Sequence, residues 1–161
     1  MSKRKAYAKA KRESGGFIAL PHAVLRSEKY GNLSAIATKL INDLFAQFNG
    51  KNNGDLCCAW TILNKRGWVS RDTLNRARIE LLEKQFIEVS RQGGRNTPTL
   101  YALTFYSVDD CGGKLDIQPT GSPKGLWRLP PIEVSKRKRK KNVNTIIGSI
   151  NPELARLSGQ L

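Results

Sequence analysis

Apolar residues recur at spacings of three and four through Leu33, Ile36, Ala37, Leu40, Ile41, Leu44, Phe45 and Phe48, the period of one wide helix face. Ser34 stands at the head of that run as a good N-cap, so a core helix is predicted. The turn formers at 49–55 end it, and Leu56, Cys57 and Cys58 follow as a short strand. A helix of about two turns is expected over 60–66, closed by Gly67. Trp68 and Val69 form a turn, and Ser70 caps a second helix to about Lys84, with Leu74, Ala77, Leu81 and Leu82 facing inward. Residues 86–91 read as a strand and 92–99 as a Gly-rich loop. The returning strand, 100–106, places Tyr101, Leu103 and Phe105 on one face and Ala102 and Thr104 on the other.

The flanks are less regular. Gly15 and Gly16 form a hinge, 17–20 is extended, and Pro21 suits the first turn of a short helix reaching about Ser27. After residue 107, Cys111, Gly112 and Gly113 make a turn, and 119–131 is a loop that Leu126 and Trp127 are expected to anchor. Two helices joined by a short glycine-containing turn have helix-turn-helix spacing. With the preceding helix and the following hairpin, the expected fold is α+β: a winged helix-turn-helix, a three-helix core plus a β-hairpin wing. The domain spans 16–131, between a basic flexible arm at 1–15 and a basic tail at 132–161, in which 146–157 is able to become a helix on a partner.

Charge changes this picture. The net charge is +15, but residues 1–13 hold six basic residues against Glu13, and 136–161 hold seven against Glu153. The stretch 14–135 carries fifteen basic and eleven acidic residues, a net +4. Two same-sign arms on a nearly balanced unit point to a polyanionic partner. Lys3, Arg4 and Lys5, and the run Lys136, Arg137, Lys138, Arg139, Lys140 and Lys141, are the expected phosphate contacts. A merely solubilising role for such runs is the plainer alternative.

A helix that reads duplex DNA turns polar side chains outward near its N-terminal half. At about 100° per residue from Leu74, the outward arc holds Arg71, Asp72, Asn75, Arg76 and Ile79. Arg pairs with guanine and Asn with adenine, so Arg71, Asn75 and Arg76 are the base-reading candidates, beside Ser70 and Thr73. Asp72 either accepts from cytosine or holds Arg76 four residues on, and Ile79 suits a thymine methyl group. Arg78 lies on the margin of the inward stripe, where it snorkels toward phosphate or pairs with an acid. In the wing, Arg91, Arg95, Asn96 and Thr97 suit the minor groove or backbone. Lys65 and Arg66 suit phosphates, or the dipole of their own helix. An ordinary solvated helix face is the competing reading of the whole arc.

Catalysis finds little support. The only histidine, His22, excludes a His-x-His site, and no phosphate-binding G-x-x-x-x-G-K-[ST] loop is present. Asp109 and Asp110 read as a solvated turn cap, and His22 as structural. Three cysteines without zinc spacing imply no metal or cofactor, and with no signal peptide they fit a reducing compartment. No apolar run is long enough for a bilayer span. The expectation is a non-enzymatic cytoplasmic protein, without membrane or small-molecule partner.

The stretches "ALPHAVLRSEKYGNLSAIATKLINDL", "NGKNNGDL", "NKRGWVSRDTLNRARIELL" and "RQGGRNTPTLYALTF" resemble small winged-helix proteins of bacterial plasmids, prophages and integrative elements. More loosely, they are similar to the N-terminal domains of phage and plasmid replication initiators. The resemblance runs from Phe17 to about Trp127 and implies DNA binding through the helix at Ser70, carried by Arg71, Asn75 and Arg76, and through a wing at Arg91 and Arg95. It also implies a bacterial, nucleoid-associated location. The chain departs from such proteins at Gln85, where they usually carry Gly. Gln takes a left-handed helix cap only at a cost, which leaves the end of that helix and the wing's angle open.

The expected function is sequence-specific binding of double-stranded DNA, as a transcriptional regulator or replication-initiation accessory of a mobile element. A homodimer and contacts with replication or transcription machinery stay open. The alternative is a winged helix that docks on protein while its arms bind nucleic acid nonspecifically. RNA binding through the arms is a third reading, and nuclear targeting by 136–141 is disfavoured by the bacterial resemblance.

Overall fold

The computed structural model describes residues 16–132; the arm at 1–15, the tail beyond Ile132 and the helix expected at 146–157 lie outside the described residues. Pro21 opens α1 (His22–Leu25). The short helix expected to fade at Ser27 is followed by another turn, α2 (Glu28–Gly31), because the Ser27 hydroxyl accepts from the Tyr30 amide at 3.2 Å. That turn sets Tyr30 edge-on to the buried ring of Phe86, centroids 5.7 Å apart.

Helix α3 (Ala35–Phe45) starts where its cap was expected, with Ser34 Oγ accepting from Ala37 N at 3.2 Å. Ala37, Leu40, Ile41 and Leu44 are wholly buried. Each large aliphatic side chain so buried contributes about 1.5–3 kcal/mol. The main facing element is α5 (Arg71–Glu83), which buries Leu74, Ala77, Leu81 and Leu82. Glu80 joins the two helices through polar groups: its carboxylate accepts from both the backbone N–H (2.8 Å) and the hydroxyl of Ser34, and from Lys84 at 2.9 Å. Burial works to raise the Glu80 pKa, but these hydrogen bonds and the Lys84 charge prevail and hold it below the usual value.

The helix expected over 60–66 is divided. Helix α4 (Trp60–Leu63) tightens into a 3-10 turn, Asn64–Arg66, and stops at Gly67, whose φ of 82° is left-handed. Trp68 then turns into the core, and Ser70 caps α5 by accepting from Thr73 N at 3.3 Å.

Helix α5 ends in a Schellman arrangement despite the missing glycine. Gln85 has φ 58°, Phe86 N donates to Leu81 O at 2.9 Å, and Gln85 N donates to Leu82 O at 3.0 Å. The apolar contact typical of this cap is available from Leu81 and Phe86, both fully buried. A left-handed non-glycine residue costs about 1–2 kcal/mol. The Gln85 side chain offsets part of that by donating to the carbonyl of Pro130.

Three antiparallel strands, β1 (Leu56–Cys57), β2 (Ile87–Arg91) and β3 (Leu100–Leu103), form a sheet in the order β1-β3-β2. β3 is shorter than the 100–106 expected, and all four of its residues are buried rather than alternating. Beyond the two residues that β1 pairs, the wholly buried side chain of Asn53 takes the place of a strand along β3: Leu103 N donates to Asn53 Oδ1 at 2.7 Å, and Asn53 Nδ2 donates to Leu103 O at 3.0 Å and Ser107 O at 2.8 Å. At the outer edge, the Gln47 amide accepts from Cys57 N (2.9 Å) and donates to Cys57 O (3.0 Å), standing in for a further strand.

The segment after Ser107 is held to the sheet. Asp116 N donates to Ser90 O at 2.8 Å and Gly125 N to Thr104 O, at the end of β3, at 2.9 Å, while Thr120 N donating to Val108 O at 2.9 Å closes the segment on itself. Trp127, on the 3-10 turn Leu126–Arg128, joins the core as its anchoring role required. Asp110 caps its own turn, accepting from Gly112 N at 3.2 Å, whereas Asp109 is no solvated cap: it accepts from Asn53 N at 2.7 Å and ties this segment to the distant 53–54 turn.

Candidate nucleic-acid interface

With Leu74, Ala77 and Leu81 inward, the opposite side of α5 is left to solvent. Arg71, Asp72, Asn75 and Arg76 are all exposed there, and Ser70 and Thr73 are half-buried at its start. Asp72 holds Arg76 by an i,i+4 pair at 3.5 Å, and Arg76 also donates to Thr73 Oγ1 at 3.3 Å. Both members of the pair are well exposed, so it adds little to stability; it orients Arg76. Arg71 lies over the Trp60 ring at 5.4 Å, a cation–π contact that steadies the guanidinium. Ile79 is half-buried.

Arg78 pairs with no acid among the described residues. It donates from Nη1 to the Tyr101 hydroxyl at 3.2 Å and from Nη2 to Asn75 Oδ1 at 2.6 Å. Burial raises the Tyr101 hydroxyl's pKa. Burial, reinforced by neighbouring Cys57, pushes the nearby Cys58 thiol up to about 12. Both shifts favour the neutral forms of Tyr101 and Cys58.

The hairpin brings Arg95, Asn96 and Thr97 to an exposed tip. Gly94 and Thr97 pair across it, with N–H···O distances of 3.0 and 3.3 Å, and Asn96 takes φ 61°. At the base, a bulge between Val89 and Arg91 turns Ser90 into the interior, where its hydroxyl donates to Gly54 O. Asp116 clamps that bulge from both sides, its N–H on Ser90 O and its carboxylate accepting from Gln92 N at 2.7 Å. Gly93 is needed for close approach, since a Cβ there would lie 2.5 Å from Thr99 N. Arg91 belongs to this base, donating to Pro98 O at 3.2 Å. It lies half-buried below the tip, within the wing in which a minor-groove or backbone contact was expected of it.

Arg66 also has a structural task. Its Nε donates to Asp43 Oδ1 at 2.7 Å, while Asp43 Oδ2 accepts from Trp68 Nε1 at 2.7 Å and Lys39 Nζ at 2.9 Å. Asp43 is buried. Desolvation works to raise its pKa, but the hydrogen bonds from Lys39, Trp68 and Arg66 outweigh it and hold the carboxyl below the usual range. This hub fixes the turn between α4 and α5, and sequence alone pointed to none of its acceptor atoms. Arg66 nevertheless stays exposed, as does Lys65 beside it. Among the described residues, Lys65, Arg71 and Arg95 have no carboxylate within ion-pair distance, whereas Asp55, Glu80 and Glu88 are each paired with a lysine.

No family model, curated protein or solved structure matches this chain. Its reading therefore rests on the geometry. No helix among the described residues is long and apolar enough to cross a membrane. A groove of about 620 Å³ lies between the extended segment at 16–19 and the end of α3, lined largely by Phe17, Ile18, Phe45, Phe48 and Tyr106, away from α5 and the hairpin tip.

Proposed function

We propose that this chain is a winged helix-turn-helix protein that binds double-stranded DNA in a sequence-specific way, with α5 in the major groove and the 93–97 hairpin tip on the backbone or minor groove. The element order, with three helices (α3, α4, α5) around a sheet in which the last strand lies between the other two, supports that architecture. The observation that carries the reading is the uncovered N-terminal half of α5. Among the described residues, the following chain crosses only its far end, where Ile132 N donates to Glu83 O at 2.8 Å and Pro130 O accepts from Gln85. Arg71, Asn75 and Arg76 remain presented as a polar, cationic ridge, the side-chain types that read base edges. The work is binding, without covalent chemistry, by a regulator or replication-initiation accessory of a mobile element. The basic stretches at 3–5 and 136–141 add sequence-independent attraction.

A protein-docking use of the same face draws on Val69, 95% exposed, and Ile62, 41% exposed, beside Ser70. One experiment separates the two. Bound sequences are selected from random duplex DNA at about 150 mM salt, where nonspecific attraction is damped, with the wild type and with Arg71, Asn75 and Arg76 all changed to Ala. A motif that the triple variant loses is expected. Equal DNA affinity of the two proteins, with no motif in either, would transfer the face to a protein partner.

A further inference from the structure

The exposed amide of Asn75 is held in one orientation. Arg78 donates to it from Nη2 at 2.6 Å, and a guanidinium has donors only. The Asn75 atom facing Arg78 is therefore the oxygen, and the NH₂ group is the end turned away. Arg78 is in turn tied by Nη1 to the hydroxyl of Tyr101. Tyr101 is 2% exposed and sits in the central strand between Leu56 and Val89. A core tyrosine thus orients a surface arginine, which orients a surface asparagine.

Resting on the DNA-binding reading above, we infer that Asn75 reads its base as a hydrogen-bond donor, selecting guanine, whose N7 and O6 both accept, over adenine, whose N7 stands beside a donor, with Arg78 and Tyr101 as positioning residues. A paired contact to adenine needs the amide to accept from N6–H while donating to N7, with both amide ends facing the base. Here the accepting end is turned toward Arg78. Guanine presents two adjacent acceptors, N7 and O6, to the NH₂ end, whereas adenine sets its single acceptor N7 beside the N6–H₂ donor and thymine offers O4 alone. The simple rule that Asn reads adenine is thereby reversed for this position.

The test is base preference at the position that depends on Asn75. Bound duplexes are selected with the wild type and with Asn75→Ala, and the position where the second loses discrimination is assigned to Asn75. The wild type is expected to take guanine there over adenine by about tenfold. Arg78→Met keeps the aliphatic stem and frees the amide to turn over, so adenine should rise to within about threefold of the best base. Tyr101→Phe, nearly isosteric, should move preference the same way, and circular dichroism confirms that both variants are folded. A general loss of structure would weaken all positions together and would not exchange one base for another. Adenine at the Asn75 position of the wild type, or unaltered preference in folded Arg78→Met, overturns this inference alone. Absence of any selected motif overturns it together with the reading on which it rests.

Discussion

Replacing Asp43 by Ala tests whether the turn before α5 is held as described. The substitution removes the acceptor of the Trp68 indole N–H, which lies in a side chain only 5% exposed. A buried donor left unpaired costs about 1–3 kcal/mol. It also removes ion pairs to Arg66 and Lys39, whose side chains are each 44% exposed, so solvent screening limits each to about 0.5–1 kcal/mol. Together these give a loss of about 3 kcal/mol, in the range found when a buried charge pair is broken. Asp43→Asn keeps an acceptor for Trp68 and should cost about 1 kcal/mol less. With a urea m-value of about 2 kcal/mol/M, the midpoint of Asp43→Ala should fall by about 1.5 M. Circular dichroism is the suitable probe, because Trp68 fluorescence changes with its partner. The carboxyl's pKa is lowered in the folded state, so its contribution is complete above the ordinary aspartate value of about 4 and is lost as pH falls through the folded value. The gap between wild type and Asp43→Asn should therefore narrow in acid. A loss below about 1 kcal/mol for Asp43→Ala, with an unchanged m-value, would refute the hub.

Further outcomes follow from the same geometry. Gln85→Gly relieves the left-handed strain of about 1–2 kcal/mol but loses the side-chain bond to Pro130, while Gln85→Ala loses the bond and keeps the strain. Gly should thus be more stable than Ala by about 1 kcal/mol, the order checked by urea unfolding; Ala at or above Gly would contradict the cap. Lys65→Ala should flatten the dependence of log K for duplex DNA on log salt by about one. Arg66→Ala should leave that slope nearly unchanged while lowering stability by about 1 kcal/mol; the reverse result would assign the phosphate role to Arg66 instead.

Helices α3 and α5 were legible because their information is local. Apolar spacing marks the buried stripe, and Ser34 and Ser70 lie where an orphan amide needs an acceptor. The outward arc of α5 follows from the same period, so the exposure of Arg71, Asn75 and Arg76 was readable too. What escaped were polar side chains that replace backbone at a distance. Asn53 pairs the end of β3 from 50 residues away, and Asp116 clamps the hairpin base from 24 residues beyond Gln92. Gln47 covers the edge of β1, and Asp43 collects Trp68 and Arg66. Nothing in local spacing separates these four from solvated residues. The lost alternation of β3 has a similar origin: a strand in the middle of a sheet, with the chain after Ser107 tied to the sheet and its bulge, has no face left for water.

The most direct test of the central claim is to record backbone and side-chain amide NMR spectra of the full chain while titrating in a selected duplex. The account predicts the largest shifts over 69–79, including the Asn75 side-chain NH₂, with a second set at 93–97. Shifts confined to the basic terminal stretches, or centred on the groove at 16–19 and 45–50, would contradict it.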